Sequence, residues 1–287
     1  MFVTGATGTV GSAVVRCLLG RGERVIVGVR SAGDVAGVPA GTEARLFEFG
    51  APAGDLEQAL AGADGLFLMR PPAIADVRPF LFPVVDAARR VGVRQVVFLS
   101  LQGVAFNRRT PHHAVEAYVR ASGMSWTFLR PNFFMQNLST TYVTDIRDLG
   151  EIRVPAGRSR TAFIDARDVG RVAATVFTEP GHTGKAYTLS GEQSLTYDAV
   201  ARILSEALGR TITYTRPSER DYLADMARQG LPDDYIAVQR MIYRIVRLNA
   251  SAVPNRSIRR LTGMPATTFA EFVRDHAAVW QAPPLAT

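Results

Sequence analysis

Three glycines spaced three apart, Gly5, Gly8 and Gly11, separate the first apolar run from the first amphipathic stretch, and no other feature narrows the fold as far. The segment Val3-Thr4-Gly5-Ala6-Thr7-Gly8-Thr9-Val10-Gly11 describes a strand that turns sharply into a helix while the backbone stays bare. A Cβ at Gly5 or Gly8 would obstruct a group approaching that backbone, and Gly11 lets the helix lie close to the sheet. The unsatisfied N–H groups and dipole of a helix start attract an anion, and within a β-α-β unit this spacing suits the pyrophosphate of a dinucleotide. Gly5, Thr7, Gly8, Thr9, Val10 and Gly11 are therefore the expected phosphate-binding residues.

Behind the turn, strand-like runs alternate with helical stretches. Strands are expected at 2–4, 25–29, 44–49, 65–69, 94–100 and 124–130, with helices at 9–22, 55–61, 76–91 and 111–121. Val25 to Val29 is continuously apolar, as in a strand covered on both faces. The alternation predicts an α/β chain: a Rossmann-type, doubly wound parallel sheet with right-handed crossovers. From about Pro131 the pattern loosens, with short strands at 151–154, 186–190 and 211–215 among helices at 166–178, 196–208, 218–229 and 233–247. Thr268 and Glu271 form a capping box for a last helix carrying Phe269, Phe272, Val273 and Trp280. The expected organisation is a dinucleotide-binding domain over 1–131 and a smaller α+β substrate-covering lobe over 132–287, built onto the same sheet as one structural unit.

Composition excludes several classes. With 47% hydrophobic and 21% charged residues in 287, the chain has globular rather than disordered character. No window approaches ~20 uninterrupted apolar residues, so no membrane span is expected. The single cysteine, Cys17, falls on the apolar face of the first helix and reads as packing; with no signal-peptide pattern, a cytoplasmic, reducing location is expected. The net charge of +7 is almost entirely arginine, Lys185 being the only lysine. The arginines are dispersed, with local density only at Arg240, Arg244, Arg247, Arg256, Arg259 and Arg260, and neither zinc-finger spacing nor an aromatic RNA-binding signature accompanies them. The expected partner is a small molecule, bound by a monomer or homodimer without metal, rather than nucleic acid.

Where the second strand ends, NAD-preferring Rossmann proteins place a carboxylate on the ribose 2′-hydroxyl. Here Arg30 stands there, and the first carboxylate is Asp34. A guanidinium suits a 2′-phosphate by charge and by forked donor geometry, so NADPH is expected in preference to NADH.

The runs TGATGTVG at 4–11, VVFLSLQGV at 96–104 and HHAVEAYVRASGMSWTFLRPNFFMQN at 112–137 resemble atypical short-chain dehydrogenase/reductases of the NmrA-like family. Pro155-Ala156-Gly157, Phe163 to Val169 and Thr268 to Phe272 match the same pattern, so the resemblance covers nearly the whole chain. It implies an NAD(P)H-binding protein akin to quinone-reductase-like and azoreductase-like members; the family also includes regulators that bind the dinucleotide without turning it over. Typical reductases of the larger superfamily carry a tyrosine proton donor and a lysine four residues apart. Aligned on Glu116, this chain has Arg108 and His112 at those positions, and no tyrosine lies between residues 100 and 117.

The expected reaction is therefore hydride transfer to a quinone-like, azo or other conjugated acceptor, which needs placement more than a strong acid. The alternatives are a non-catalytic NADP(H)-sensing regulator and a polyketide-type ketoreductase with substrate-assisted protonation. His112, with an ordinary pKa near 6.5, is a candidate ribose anchor or proton donor. Ser100 and Asn132 are further catalytic candidates. The resemblance implies that Met69, Arg70 and Pro71 flank the adenosine half and that Pro131, Asn132 and Phe133 meet the nicotinamide carboxamide. Ser100, Leu101 and His112 complete the expected cofactor set, while Gln102, Phe133, Phe134, Met135 and Tyr142 are expected to line the substrate pocket. Gly50 stands where relatives often carry an aspartate near the adenine.

Overall fold

A computed structural model describes residues 1–281. The elements run β1 (Phe2–Val3), α1 (Thr9–Leu19), β2 (Ile26–Val29), β3 (Glu43–Leu46), α2 (Ala53–Leu60), β4 (Gly65–Met69), α3 (Phe82–Arg90), β5 (Gln95–Leu99), α4 (Pro111–Ala121) and β6 (Ser125–Pro131). They continue with β7 (Glu151–Ile152), β8 (Arg160–Thr161), α5 (Ala166–Thr178), β9 (Lys185–Leu189), β10 (Leu195–Thr196), α6 (Tyr197–Leu208), β11 (Thr213–Tyr214), α7 (Glu219–Arg228), α8 (Asp233–Arg247), α9 (Ser257–Thr262) and α10 (Phe269–Gln281). No described helix is long and apolar enough to cross a membrane.

Seven strands form one sheet in the order β3-β2-β1-β4-β5-β6-β9, with every pairing parallel. The order reverses between β1 and β4, so the crevice beyond their carboxyl ends is the place where an open α/β sheet binds ligands. The expected doubly wound fold is what forms. Phe2, Ile26, Leu66, Leu68, Val96, Phe98 and Phe128 are buried in one core of this sheet, which accounts for its uninterrupted apolar runs.

The chain folds as two compact units, the first made of Met1–Pro131, Ala166–Leu189 and Ser257–Met264. The second takes Asn132–Asp165, Ser190–Arg256 and the described residues from Pro265 onward. Where one lobe was expected over 132–287, α5, β9 and α9 belong instead to the first unit. Pairing of β9 with β6 carries the chain back into the large sheet. In the second unit, β10 pairs antiparallel with β8, and β11 pairs parallel with β7.

The helix expected over 76–91 starts only at Phe82. Pro79 disfavours helical geometry at Arg78, and Pro83 sits in the first turn of α3, where its missing N–H costs nothing. Cys17 is half-buried at the flank of α1, whose buried face is formed by Val10, Ala13, Val14 and Leu18 with Gly11 and Val15. Burial pushes its thiol pKa up, as expected of a packing residue.

Candidate dinucleotide and substrate site

Thr4, fully buried just after β1, ties the two sides of the strand-order reversal together. Its Oγ1 donates to Phe67 O at 3.1 Å and accepts from Met69 N at 3.0 Å, while its own N–H donates to Phe67 O at 3.0 Å. The chain then turns at Gly5, whose φ of +63° is left-handed and whose absent Cβ would lie 2.8 Å from Met69 Sδ. Gly8 N–H donates to Gly5 O at 3.0 Å, and α1 starts on Gly8 with no side chain capping its first turn and no acidic residue in it. Gly11 acts differently from the expectation. A Cβ there would meet the turn itself, 2.1 Å from Gly5 O. Gly5, Thr7, Gly8 and Thr9 are exposed, whereas Val10 is buried and offers only its backbone. The result is an uncapped helix start behind a bare bend, a ready anion cradle.

At the end of β2, Arg30 is exposed. Asp34, the nearby carboxylate, is engaged locally: it accepts from Ser31 N at 3.0 Å and Ser31 Oγ at 3.2 Å in a capping box. Arg30 and Arg45 both line an open concavity of about 600 Å³ with Phe47, Glu48 and Asp55. Arg45 is held by the end of α2, donating to Ala59 O at 2.9 Å and Ala61 O at 2.6 Å. Arg30 has no such tether among the described residues and is the cation free to meet a ligand.

Arg70 braces its own loop, donating from Nη1 to Pro71 O and Pro72 O at 3.1 Å each and to Ile74 O at 2.5 Å. Pro71 is thereby fixed, and Met69 lies beneath Gly5. Gly50 has φ +89° and faces Phe80, whose ring atoms would lie 3.0 Å from a Cβ, so a larger residue is strained there on both counts.

At the end of β5, Ser100 is buried, donates its N–H to Leu129 O at 2.8 Å, and carries an Oγ with no hydrogen bond of ordinary geometry beside Glu116. Leu101 and Gln102 follow half-buried, and Gln102 N–H donates to Pro131 O at 3.0 Å. His112 lies in the first turn of α4, where Thr110 caps the helix by accepting from His113 N at 3.3 Å. Its ring stands 6.0 Å from that of Phe98, and its Nδ1 is buried and unbonded. Burial, reinforced by the Arg70 charge and opposed by Glu116, pushes its pKa down to about 4. The expectation of a histidine titrating near neutrality is corrected: His112 is a neutral hydrogen-bonding group at pH 7. Nuclear magnetic resonance of the His112 ring should show a midpoint near 4, with no titration between pH 5 and 8. Because the folded pKa lies below the ordinary 6.5, the stability His112 contributes is present above pH 6.5 and lost as pH falls toward the folded value.

Glu116, one helical turn after His112, is only 1% exposed. Its Oε1 accepts from Arg130 Nε at 2.9 Å, and Oε2 accepts from Arg130 Nη2 at 2.6 Å and Arg120 Nη2 at 2.8 Å. The Arg120 guanidinium also lies over the rings of Trp126 (5.0 Å) and Phe128 (4.7 Å). Burial alone would raise the Glu116 pKa, but the bonds from Arg130, the adjacent Ser100 hydroxyl and the charges of Arg130 and Arg120 hold it below its ordinary value.

In the second unit Asn132 is buried and internally satisfied. Its Nδ2 donates to Ser251 O and its Oδ1 accepts from Phe133 N, both at 2.8 Å. Both amide atoms are thus engaged with backbone, which fixes the turn after β6. Met135 is buried in the core with Phe163, Tyr197 and Phe269, and together with Phe163 and Phe269 it borders a small cavity. Phe133, Phe134 and Tyr142 are half-buried and retain reachable ring surface.

A parallel sheet reversing at β1 and β4, with an uncapped, side-chain-free turn at that reversal, defines a dinucleotide-binding Rossmann protein. The chain belongs to the NmrA-like family, whose model matches residues 1–253. It is 33% identical over 292 residues to the NAD(P)H azoreductase of Xenophilus azovorans, covering 98% of this chain and 99% of that one. Among solved structures, the NADPH-dependent quinone oxidoreductase of Escherichia coli complexed with NADPH is similar at TM-score 0.85 and 26% identity, over 96% of this chain and 98% of that one. The Citrobacter sp. triphenylmethane reductase complexed with NADP(H) is similar at TM-score 0.84 and 25% identity, over 96% and 99% of the respective chains.

Proposed function

We propose that the protein is an NADPH-dependent reductase that transfers hydride to a quinone-like, azo or other conjugated small molecule. The observation that carries this reading is the bare bend from Gly5 to Gly11 ahead of an uncapped helix, with Arg30 untethered at the end of the next strand. In this reading the backbone of Gly5, Thr7, Gly8, Thr9, Val10 and Gly11 holds the pyrophosphate and Arg30 takes the 2′-phosphate. Ser100 Oγ and His112 Nδ1, both buried without an ordinary hydrogen bond, suit a ligand hydroxyl and are assigned to the nicotinamide ribose. Met69, Arg70 and Pro71 border the adenosine, and Leu101 and Pro131 the nicotinamide. NADPH bound there supplies the hydride.

Arg30→Ala should lower the NADPH-to-NADH affinity ratio by about tenfold or more while leaving NADH affinity unchanged, since a charge-assisted hydrogen bond contributes ~1.5–3 kcal/mol. Titration of each cofactor against the variant measures the ratio; an unaltered ratio removes Arg30 from the site. The reductase reading itself is tested by following NADPH absorbance near ~340 nm with a panel of quinones, azo dyes and polycyclic ketones. One observation favours a second reading. Arg108 and His112 stand where the superfamily has its tyrosine and lysine, and His112 is neutral. Tight NADPH binding without turnover of any acceptor would make the protein a dinucleotide sensor.

A further inference from the structure

Helix α8 carries two apolar faces where a surface helix of a globular chain needs only one. Ile236, Gln239, Tyr243 and Val246 are buried, which fixes its inward face. Val238, Met241 and Ile245, with Leu248 at the C-terminal cap, stand on the opposite side and are between 39% and 73% exposed. Their spacing of three, four and three residues is the seam of a coiled coil, the repeat that sets apolar side chains against a second helix. Exposed Tyr235 and half-buried Ile242 widen the stripe along one edge. No described residue covers it.

The charges on the helix select the partner. Asp233 and Asp234 open α8, whereas Arg240, Arg244 and Arg247 follow toward its end. Glu219 of α7 engages two of these arginines: Arg247 is bonded to it, and Arg240 lies 4.0 Å from it. Among the described residues Arg244 has no acidic partner, and neither Asp233 nor Asp234 has a basic one. All three are exposed. The same helix therefore ends acid on one side and base on the other, with both ends unpaired. A second α8 laid antiparallel puts Asp233 of each copy across from Arg244 of the other. That stagger also sets Val238 against Met241 along the seam and Tyr235 against Ile242 at its edge. A parallel copy would bring acid to acid and base to base.

We propose that this face of α8 is a self-association surface, on which a second copy of the chain docks its own α8 antiparallel about a twofold axis. Such a contact is isologous, so each apolar and ionic pair occurs twice. Met, aromatic and Arg side chains are the types enriched in protein interfaces, and the stripe is built of them together with branched aliphatics. With 15 residues, α8 is about 22 Å long, so one helix pair makes an interface at the small end of the specific range. The dimer is accordingly of moderate affinity and dissociates on dilution.

Sedimentation velocity between about 0.5 and 200 μM should show monomer converting to dimer, with a midpoint on the order of 10 μM. Met241→Glu puts a charge in the middle of the stripe and should weaken the dimer by at least about 100-fold. Glutamate suits an exposed helical position, so the circular dichroism should not change. Asp233→Arg and Arg244→Asp each set like charges together and should weaken the dimer by about tenfold at low salt. Mixed in equal amounts, these two variants match acid with base again and should recover dimerisation to within about twofold of wild type. A wild type that stays monomeric throughout this range overturns the proposal, even if the stripe then captures lipid vesicles or a different protein. A dimer that survives Met241→Glu places the interface elsewhere and overturns it too. Charge variants that dimerise like wild type, or a mixture that fails to recover, overturn the antiparallel pairing.

Discussion

Replacing Gly11 by alanine should weaken NADPH binding by at least about 100-fold, the largest effect expected of a single added methyl group in this chain. A Cβ at Gly11 would lie 2.1 Å from Gly5 O, 2.6 Å from Gly5 C and 3.0 Å from Ala6 Cα. All three are backbone atoms, so no side chain can rotate away. Helix α1 cannot retreat either, because Val14, Val15 and Leu18 on it are fully buried. The turn must open, which under the proposed reading displaces the start of α1 from the pyrophosphate and costs on the order of 1–3 kcal/mol of stability through overpacking. Fluorescence titration with NADPH and thermal unfolding measure both. Gly54→Ala is the matched control: nothing lies within 4 Å of its Cβ position in α2. That variant should gain about 0.5–1 kcal/mol from helix propensity and bind NADPH as the wild type does. A Gly11→Ala protein that titrates normally would falsify the assignment of this turn.

The turn was legible in the sequence because its requirement is steric and local: three missing side chains at fixed spacing between a strand and a helix. The parallel sheet was legible for a similar reason, burial on both faces leaving continuous apolar runs. Features that depend on distant partners were not. The Thr4 clip is an ordinary threonine until β4 lies beside it. The low pKa of His112 comes first from burial and then from the Arg70 charge, both of which exist only once the chain has folded. Return of the chain to the first unit was obscured because β9 is mostly exposed, with only Leu189 fully buried, and so carries a weak strand signal. The hydrogen bond between the Tyr142 and Tyr243 hydroxyls is the extreme case, its partners 101 residues apart and joined only by tertiary packing. Met135 and Asn132 follow β6 as the sequence indicates, but what holds them, Phe163 and Phe269 for one and Ser251 for the other, is again distant in the chain.

Glu116→Ala should destabilise the first unit by about 3–5 kcal/mol, the cost of breaking a buried ion pair from one side. Arg130 is 17% exposed and gives the carboxylate two bonds, so the deletion strands a largely buried guanidinium. Arg120, more exposed at 38% and supported by Trp126 and Phe128, loses less. Glu116→Gln separates charge from shape, keeping the volume and one acceptor oxygen while removing the ionised partner. The pH dependence has a definite sign. The folded pKa of Glu116 is held below its ordinary 4.5, so its contribution is fully present above that pH and is lost as pH falls through the folded value. Urea unfolding should therefore show a large gap between wild type and Glu116→Gln at pH 7, shrinking steadily below about pH 4.5. A gap that stays constant down to acid, or is absent at pH 7, would mean that the two arginines find water or other acceptors and that the buried carboxylate does not anchor the end of β6 to α4.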